Sequence, residues 1–258
     1  MMFKNIISIA RNTFREAVRD RVLYNLVVFV LLITVSAIFL GELTAGQEAR
    51  TIVNLGLSAM LLFGAFISIF VGVSLVSKEI ERRTLYAVLS KPVGRGEFIV
   101  GKYLGLCLTL LVNVLIMGVG VSLALLYVGG GSLAFSIWGA VFLIFLELAI
   151  LTAVAIVFSS FSSPALSALL TFLVFIIGNF SASLREFAEN LGSTGAKIFF
   201  NFLYYFLPNL SHYSFITNAA HGDLPTFDII GSAFLYALVY ISILIAAAIL
   251  IFSRRNFK

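Results

Sequence analysis

Charged residues are scarce in this chain, and cysteine is nearly absent. Only 11% of its 258 residues are charged, whereas a soluble domain carries about a quarter. Together with a 61% hydrophobic content, this excludes an ordinary soluble protein and predicts an integral membrane protein. The single cysteine, Cys107, lies in an apolar run and has no second cysteine in the chain with which to form a disulfide.

Residues that support chemistry are also few. The two histidines, His212 and His221, are 9 positions apart and lack the compact spacing of a metal site. No Ser-His-Asp set, carboxylate pair or cysteine cluster occurs in a segment expected to face water. We therefore predict that this chain is not an enzyme and binds no metal or cofactor. The net charge of +5 comes from basic residues beside apolar runs, which indicates contact with the lipid bilayer, not with nucleic acid.

Long apolar runs alternate with short polar segments. A helical span needs roughly 20 residues to cross a hydrocarbon core of about 30 Å, and in lipid such long segments satisfy their backbone groups only as helices. We predict an all-α membrane protein with six transmembrane helices in a single transmembrane domain over residues 1–258. The six spans are residues 22–40, 52–76, 103–128, 133–158, 164–182 and 229–252.

Two further segments flank these spans. In residues 1–21, apolar side chains recur every three or four positions among charged ones, which predicts an amphipathic helix lying in the membrane interface. The alternative is a simple cytoplasmic extension of the first span. Residues 183–228 form a long extracytoplasmic segment with an apolar patch at 198–207, too short to cross the bilayer. We expect short re-entrant helices there, which dip into or lie on the outer leaflet.

The distribution of Lys and Arg predicts the orientation. With the amino terminus inside, the inner segments hold fourteen of these residues and the outer segments three, namely Arg50, Arg185 and Lys197. Basic residues are enriched on the cytoplasmic side of membrane proteins. Both termini and the loop at 77–102 are therefore expected in the cytoplasm.

The loop at 77–102 is the longest charged interruption in the chain. It contains six of the seventeen Lys and Arg residues, with three glutamates between them. Such a loop either docks a soluble partner or lies on lipid headgroups, and the alternation of acids with bases favours docking. The stretch GEFIVGKY matches the phosphate-binding pattern G-x-x-x-x-G-K-[ST] except at its last position. Tyr103 stands there in place of the Ser or Thr whose hydroxyl holds magnesium. No buried strand precedes it, so we predict no nucleotide site in this chain.

The run EIERRTLYAVLSKPVGRGEFIVGKYLG resembles the central loop of the ABC transporter type-2 permease family. The positions that carry the resemblance are Glu79, Glu81, Thr84, Leu85, Pro92, Arg95, Gly101 and Lys102. The stretches IARNTFREAVRDRVLYNL and FLPNLSHYSF resemble the opening helix and the outer segment of the same family. Arg83 departs from the pattern, because many members have glycine there.

The resemblance implies the membrane-spanning permease subunit of an ABC exporter in a bacterial or archaeal cytoplasmic (inner) membrane. Two permease copies would assemble with two separate ATPase subunits, which hold ATP and Mg and carry out the hydrolysis. The loop at 77–102 would act as a coupling helix, and an extracytoplasmic partner is a further possibility. As a hypothesis, the coupling residues are Glu79, Glu81, Arg82, Arg83, Thr84, Leu85, Pro92 and Arg95. The first four would contact the ATPase, and the last two would fix the turn.

Glu147 lies near the middle of the fourth predicted span. A carboxyl group there is costly unless it is paired, protonated or in contact with water, so it is either functional or a hydrogen-bonded packing residue. Its candidate partners are Asn113, Thr152 and Asn179. If it is functional, the chain could instead be a secondary transporter driven by an ion gradient, with Glu147 as the carrier of the ion.

Small residues recur four positions apart in two of the spans. Gly64, Ser68 and Gly72 form one such set, and Gly101 and Gly105 form another. Small side chains at this spacing permit close contact between helices. We expect these positions to be packing sites.

Overall fold

The fold is an α-helical bundle, as seen in a computed structural model. The structure describes residues 2–17, 28, 29, 32, 33, 35, 36, 47–81, 94–181, 183 and 194–254. The helices are α1 (Met2–Ala17), α2 (Glu48–Glu81), α3 (Arg95–Tyr127), α4 (Gly131–Ser159), α5 (Pro164–Asn179), α6 (Thr194–Phe206), α7 (Ile216–Ala220) and α8 (Phe227–Arg254), with a 3-10 helix at Leu210–Tyr213.

Four of the described helices, α2, α3, α4 and α8, are long and apolar enough to cross a membrane. They correspond to the predicted spans at 52–76, 103–128, 133–158 and 229–252, which are thus confirmed as long apolar helices. Helix α5 begins at the predicted residue but has 16 residues, fewer than the roughly 20 of a full span. Most of the predicted first span, residues 22–40, lies outside the described residues, so the count of six stays a prediction.

Helix α4 is the centre of the bundle and contacts α2, α3, α5 and α8. From Leu143 to Ile156 every side chain except Phe145 is buried. A helix that is apolar on all sides is stable only where other helices or lipid surround it, and here protein takes that place. The two sides of this segment therefore pack into separate parts of the core, one with α2 and α3 and the other with α5 and α8.

Close contact between α2 and α4 depends on the small residues predicted for it. A methyl group at Gly64 would overlap the Leu148 side chain, and one at Gly72 would lie 3.2 Å from the Ala155 Cβ. Between them the Ser68 hydroxyl donates to the Leu148 carbonyl at 3.5 Å. The prediction that these positions serve packing is confirmed.

The turn between α3 and α4 depends on glycine. Gly129 has a φ of 83°, in the left-handed region that side chains with a Cβ rarely adopt. The Gly130 amide then donates to the Leu125 carbonyl at 2.8 Å, which satisfies a carbonyl left open at the end of α3. The two helices consequently run antiparallel as neighbours.

The segment before α8 contains short helices, as predicted. Helix α6 covers most of the apolar patch at 198–207, and the 3-10 helix and α7 follow it. This segment packs against the bundle at two glycines, because a Cβ at Gly178 would lie 2.8 Å from Leu210 and one at Gly139 would overlap Pro225.

Candidate functional site

The predicted coupling loop emerges from one end of the bundle, where α2 ends and α3 begins; we call this the loop end. Of the predicted coupling residues, Glu79 and Glu81 lie in the last turn of α2, and Arg95 is the first residue of α3. The others lie outside the described residues, namely Arg82, Arg83, Thr84, Leu85 and Pro92. Their coupling role stays a prediction.

The start of α3 is held by its own residues and by α1. Glu97 Oε2 accepts a hydrogen bond from the Gly94 amide at 3.4 Å, which satisfies one of the open donors of the first turn. The same oxygen accepts from Asn5 Nδ2 at 3.0 Å. Acidic side chains in the first turn also interact favourably with the helix dipole. One carboxylate therefore caps α3 and binds it to the amino-terminal helix.

Arg95 reaches from α3 to the end of α8. Its Nη1 donates to the Ser253 carbonyl at 2.7 Å and to the Phe252 carbonyl at 3.3 Å. Carbonyls in the last turn of a helix lack partners within the helix, and a cation there also compensates the negative end of the dipole. The sequence pattern assigned Arg95 to the turn of the loop and did not reveal this contact with α8.

Apolar contacts strengthen the junction between α3 and α8. The rings of Phe98 and Phe252 stack with centroids 5.9 Å apart at an interplanar angle of 19°. Both side chains are buried. One turn earlier on α8, Ile249 packs over Gly96, where an added Cβ would lie 3.8 Å from two of its carbon atoms. The first turn of α3 and the last two turns of α8 thus form one packed unit.

Helix α1 packs on the opposite flank of the same part of α3. A Cβ at Gly101 would lie 2.8 Å from Ile9 atoms, and one at Gly105 would lie 2.6 Å from the Ala10 carbonyl oxygen. These two glycines are therefore packing positions, as predicted. They allow the backbones of α1 and α3 to approach closely.

Lys102 is buried at this helix contact, with 2% of its side chain exposed. Its Nζ lies 3.6 Å from Glu16 Oε2 on α1 and 5.8 Å from the centre of the Phe98 ring. The stretch that resembles a phosphate-binding loop is a continuous part of α3, and its lysine faces a carboxylate of the same chain. Gly101 and Lys102 therefore serve helix contact.

Helix α1 has three distinct faces. One packs on α3, and a second exposes Phe3 by 81% and Ile7 by 65%. The third carries exposed cations, namely Lys4, Arg11 and Arg15. The predicted amphipathic helix is present, but the sequence pattern revealed only the apolar stripe that is exposed at Phe3 and Ile7. It missed the packing face because that face mixes small, polar and apolar residues.

Glu147 lies on α4 with 1% of its side chain exposed. Its Oε1 accepts a hydrogen bond from Asn179 Nδ2 at 2.8 Å, at the last residue of α5. The other two predicted partners bind their own helices instead: Asn113 donates to the Thr109 carbonyl and Thr152 to the Leu148 carbonyl. Of the three candidates, only Asn179 joins Glu147 to another helix.

A second set of hydrogen bonds, which we call the polar web, lies between the end of α5 and α8. Ser181 and Ser211 both donate to Asn209 Oδ1, at 2.5 and 2.6 Å, and the Asn209 amide donates to the Tyr236 hydroxyl at 3.0 Å. The Tyr213 hydroxyl donates to the Ala233 carbonyl at 2.9 Å.

Within the part of the chain that the structure describes, no three His, Cys, Asp or Glu side chains come together as a metal site would require. The hydrogen bonds of the web fasten Ser181, just after α5, and the 3-10 helix to α8.

Comparison with known proteins identifies the family. The model of the ABC-2 family transporter proteins matches residues 7–257. The probable ABC transporter permease protein NosY of Pseudomonas aeruginosa is 29% identical over 123 residues, which cover 46% of this chain and 45% of the relative. The chain thus aligns with less than half the length of that relative. Because the family match extends over nearly the whole sequence, this multi-pass membrane protein belongs to the ABC-2 transporter family.

Proposed function

We propose that this chain is the membrane-spanning subunit of an ABC exporter, driven by two separate ATPase subunits that bind two copies of it. ATP and Mg belong to those ATPases, and the chain contributes no catalytic group. The observation that carries the proposal is the packing of the loop end. The two helices that flank the charged loop extend to Glu81 and from Arg95 onward, and the second packs against α1 and α8.

This packing suits the transmission of force. A displacement of the docked loop acts first on the end of α2 and the start of α3. Because α3 contacts both α1 and α8, the displacement reaches three parts of the bundle together. Packed helices respond to such shifts by changing between discrete arrangements and do not deform continuously.

The proposed orientation places the loop end in the cytoplasm, at a bacterial or archaeal cytoplasmic membrane. The excess of Lys and Arg in the predicted inner segments supports it. Helix α1 then lies in the cytoplasmic interface, with Phe3 and Ile7 in the acyl region and its exposed cations at the headgroups.

The short helices before α8 are proposed to enter the bilayer from the opposite side. Helix α5 spans about 24 Å at 1.5 Å per residue, so it ends before a full crossing. The 3-10 helix packs against its last turn at Gly178, and the polar web supplies hydrogen bonds to the irregular backbone there. Non-helical backbone at membrane depth is stable when protein groups satisfy it in this way.

A co-purification experiment tests the proposed function. The tagged chain is expected to retain a soluble subunit that hydrolyses ATP. The charge reversals Glu81→Lys and Arg82→Glu should weaken its binding about tenfold or more, the effect of 1.4 kcal/mol, while the chain stays in the membrane. The matched control is Arg50→Glu, an exposed charge at the other end of α2, which should have no effect. Unchanged binding of the ATPase in both loop variants would contradict the coupling assignment.

The second candidate function is a secondary transporter in which Glu147 carries the ion. The burial of its carboxyl group between α4 and the end of α5 favours this candidate. It predicts transport by the chain alone in liposomes with an ion gradient and no ATP, and loss of that transport in Glu147→Gln. Transport that requires the ATPase and survives Glu147→Gln would exclude it.

A further inference from the structure

Helix α8 packs along α4 and contacts α3 at the loop end. Its fully buried side chains fall into two groups, Ala233 and Ala237 beside the polar web, and Ala248 and Phe252 at the loop end. Many of its other apolar side chains are exposed, as at Leu238 and Val239. The hydrogen bonds from Arg95 add a charged connection between α8 and α3 at the loop end.

We propose that Arg95 is a positioning residue that makes α8 follow α3 when the loop is displaced. This inference rests on the proposed function, because it takes the loop as the point where the ATPase acts. The position of Arg95 is the reason for the assignment. It is the first residue of the helix that leaves the loop, and its guanidinium binds the last turn of a helix that is 157 residues away in sequence.

The hydrogen bonds of Arg95 suit a contact that must transmit a displacement from α3 to α8. Hydrogen bonds from a charged donor are shorter and stronger than neutral ones, and Nη1 engages two consecutive carbonyls. The guanidinium also stays charged at any physiological pH. The stack of Phe98 on Phe252 and the packing of Ile249 over Gly96 prevent α8 from sliding along α3.

The contact also separates the two flanks of α3. On one flank Glu97, Gly101 and Lys102 hold α1, and none of these residues is needed for the contact with the α8 carbonyls. Removal of the Arg95 charge should consequently leave α1 and α3 together while α8 loses its charged contact with α3. The expected defect is selective, in contrast to a general loosening of the bundle.

The test uses the complete complex in lipid nanodiscs, with spin labels on a Cys107→Ala background and an excess of unlabelled chain. Labels at Leu235 and Phe135, which are 63% and 79% exposed, report on α8 relative to α4. A second pair at Leu104 and Phe161, 45% and 50% exposed, reports on the start of α3. Distances are measured by pulsed electron paramagnetic resonance with and without ATP.

In Arg95→Gln, the ATP-dependent change at the α8 pair is expected to fall about fivefold or more, the lower end of coupling between sites. The change at the α3 pair should persist. Arg95→Lys should restore much of the α8 response, because an ammonium group can donate to the same carbonyls. Phe252→Leu, which removes the ring stack but keeps a buried apolar side chain, should also weaken the α8 response.

The outcomes distinguish a failure of the inference about Arg95 from a failure of the proposed function. An α8 response in Arg95→Gln equal to that of the unmodified chain overturns this inference alone. Loss of both responses in Arg95→Gln overturns it as well, since the defect is then general. Absence of any ATP-dependent change at the α3 pair in the unmodified complex overturns the proposed function, and this inference with it. The control Arg11→Gln removes an exposed cation on α1 and should change neither response.

Discussion

Substitution of Asn179 by alanine tests the role of the buried carboxyl group. The change removes the donor that lies 2.8 Å from Glu147 Oε1, in a site where 1% of the glutamate is exposed. A buried acceptor that loses its only hydrogen-bond donor costs about 1–3 kcal/mol, because water cannot replace the donor there. The free energy of unfolding of Asn179→Ala should therefore fall by about 1–3 kcal/mol.

For a chain of this size, a loss of that magnitude lowers the melting temperature by about 2–12 °C. The assay is thermal unfolding in nanodiscs of one lipid composition, followed by circular dichroism. Asn113→Ala is the matched control, because this buried asparagine donates to the Thr109 carbonyl of its own helix. Loss of that hydrogen bond should lower the free energy of unfolding by about 1 kcal/mol or less.

The carboxyl group itself is examined by a double-mutant cycle. Glu147→Gln keeps an oxygen that can accept from Asn179, so it should change stability by less than about 1 kcal/mol. In that background Asn179→Ala should cost about 1 kcal/mol less than in the unmodified chain, which gives a coupling energy between the two positions. Additive effects of the two substitutions would refute the reasoning, as would an Asn179→Ala variant as stable as the parent.

Three further outcomes are expected, all measured by thermal unfolding. Gly129→Ala should destabilise by about 1 kcal/mol because its φ is 83°, whereas Gly131→Ala, with an open site and an ordinary helical backbone, should be neutral. Gly105→Val should cost about 1–3 kcal/mol and detach α1, which proteolysis of the amino terminus would detect; Gly231→Val, with nothing near its Cβ position, should not. Lys102→Met should change stability by about 1 kcal/mol or less, because apolar atoms replace a buried charge while Glu16, 40% exposed, keeps contact with water. A large loss in Lys102→Met, or none in Gly105→Val, would contradict the packing described for α1.

The long apolar helices could be predicted from the sequence because their signal is local. Length and apolarity alone identify α4, for example. The predicted ends of the helices are less accurate, because a helix can continue through polar residues beyond the apolar run. Helix α3 therefore starts at Arg95, eight residues before the predicted span. Helix α5 ends at Asn179, three residues before the end of the predicted span.

Contacts between distant parts of the chain could be predicted only in part. Asn179 was one of three candidates for Glu147 because polar groups in spans are few and must find each other. The contact of Arg95 with α8 and the packing face of α1 were not predicted. Each depends on which helices become neighbours, and the spacing of residues within one helix carries no information about that.

The protein environment of α4 affects how the molecule senses its bilayer. Between Leu143 and Ile156 this helix offers almost no surface to acyl chains, whereas α8 offers a great deal. Thickening or thinning the hydrocarbon layer creates mismatch at surfaces that face lipid, and helices relieve it by tilting. In lipids of different chain length we thus expect the tilt of α8 to change while α4 keeps its inclination. Membrane composition would then alter the lipid-facing helix α8 before it alters the centre of the bundle.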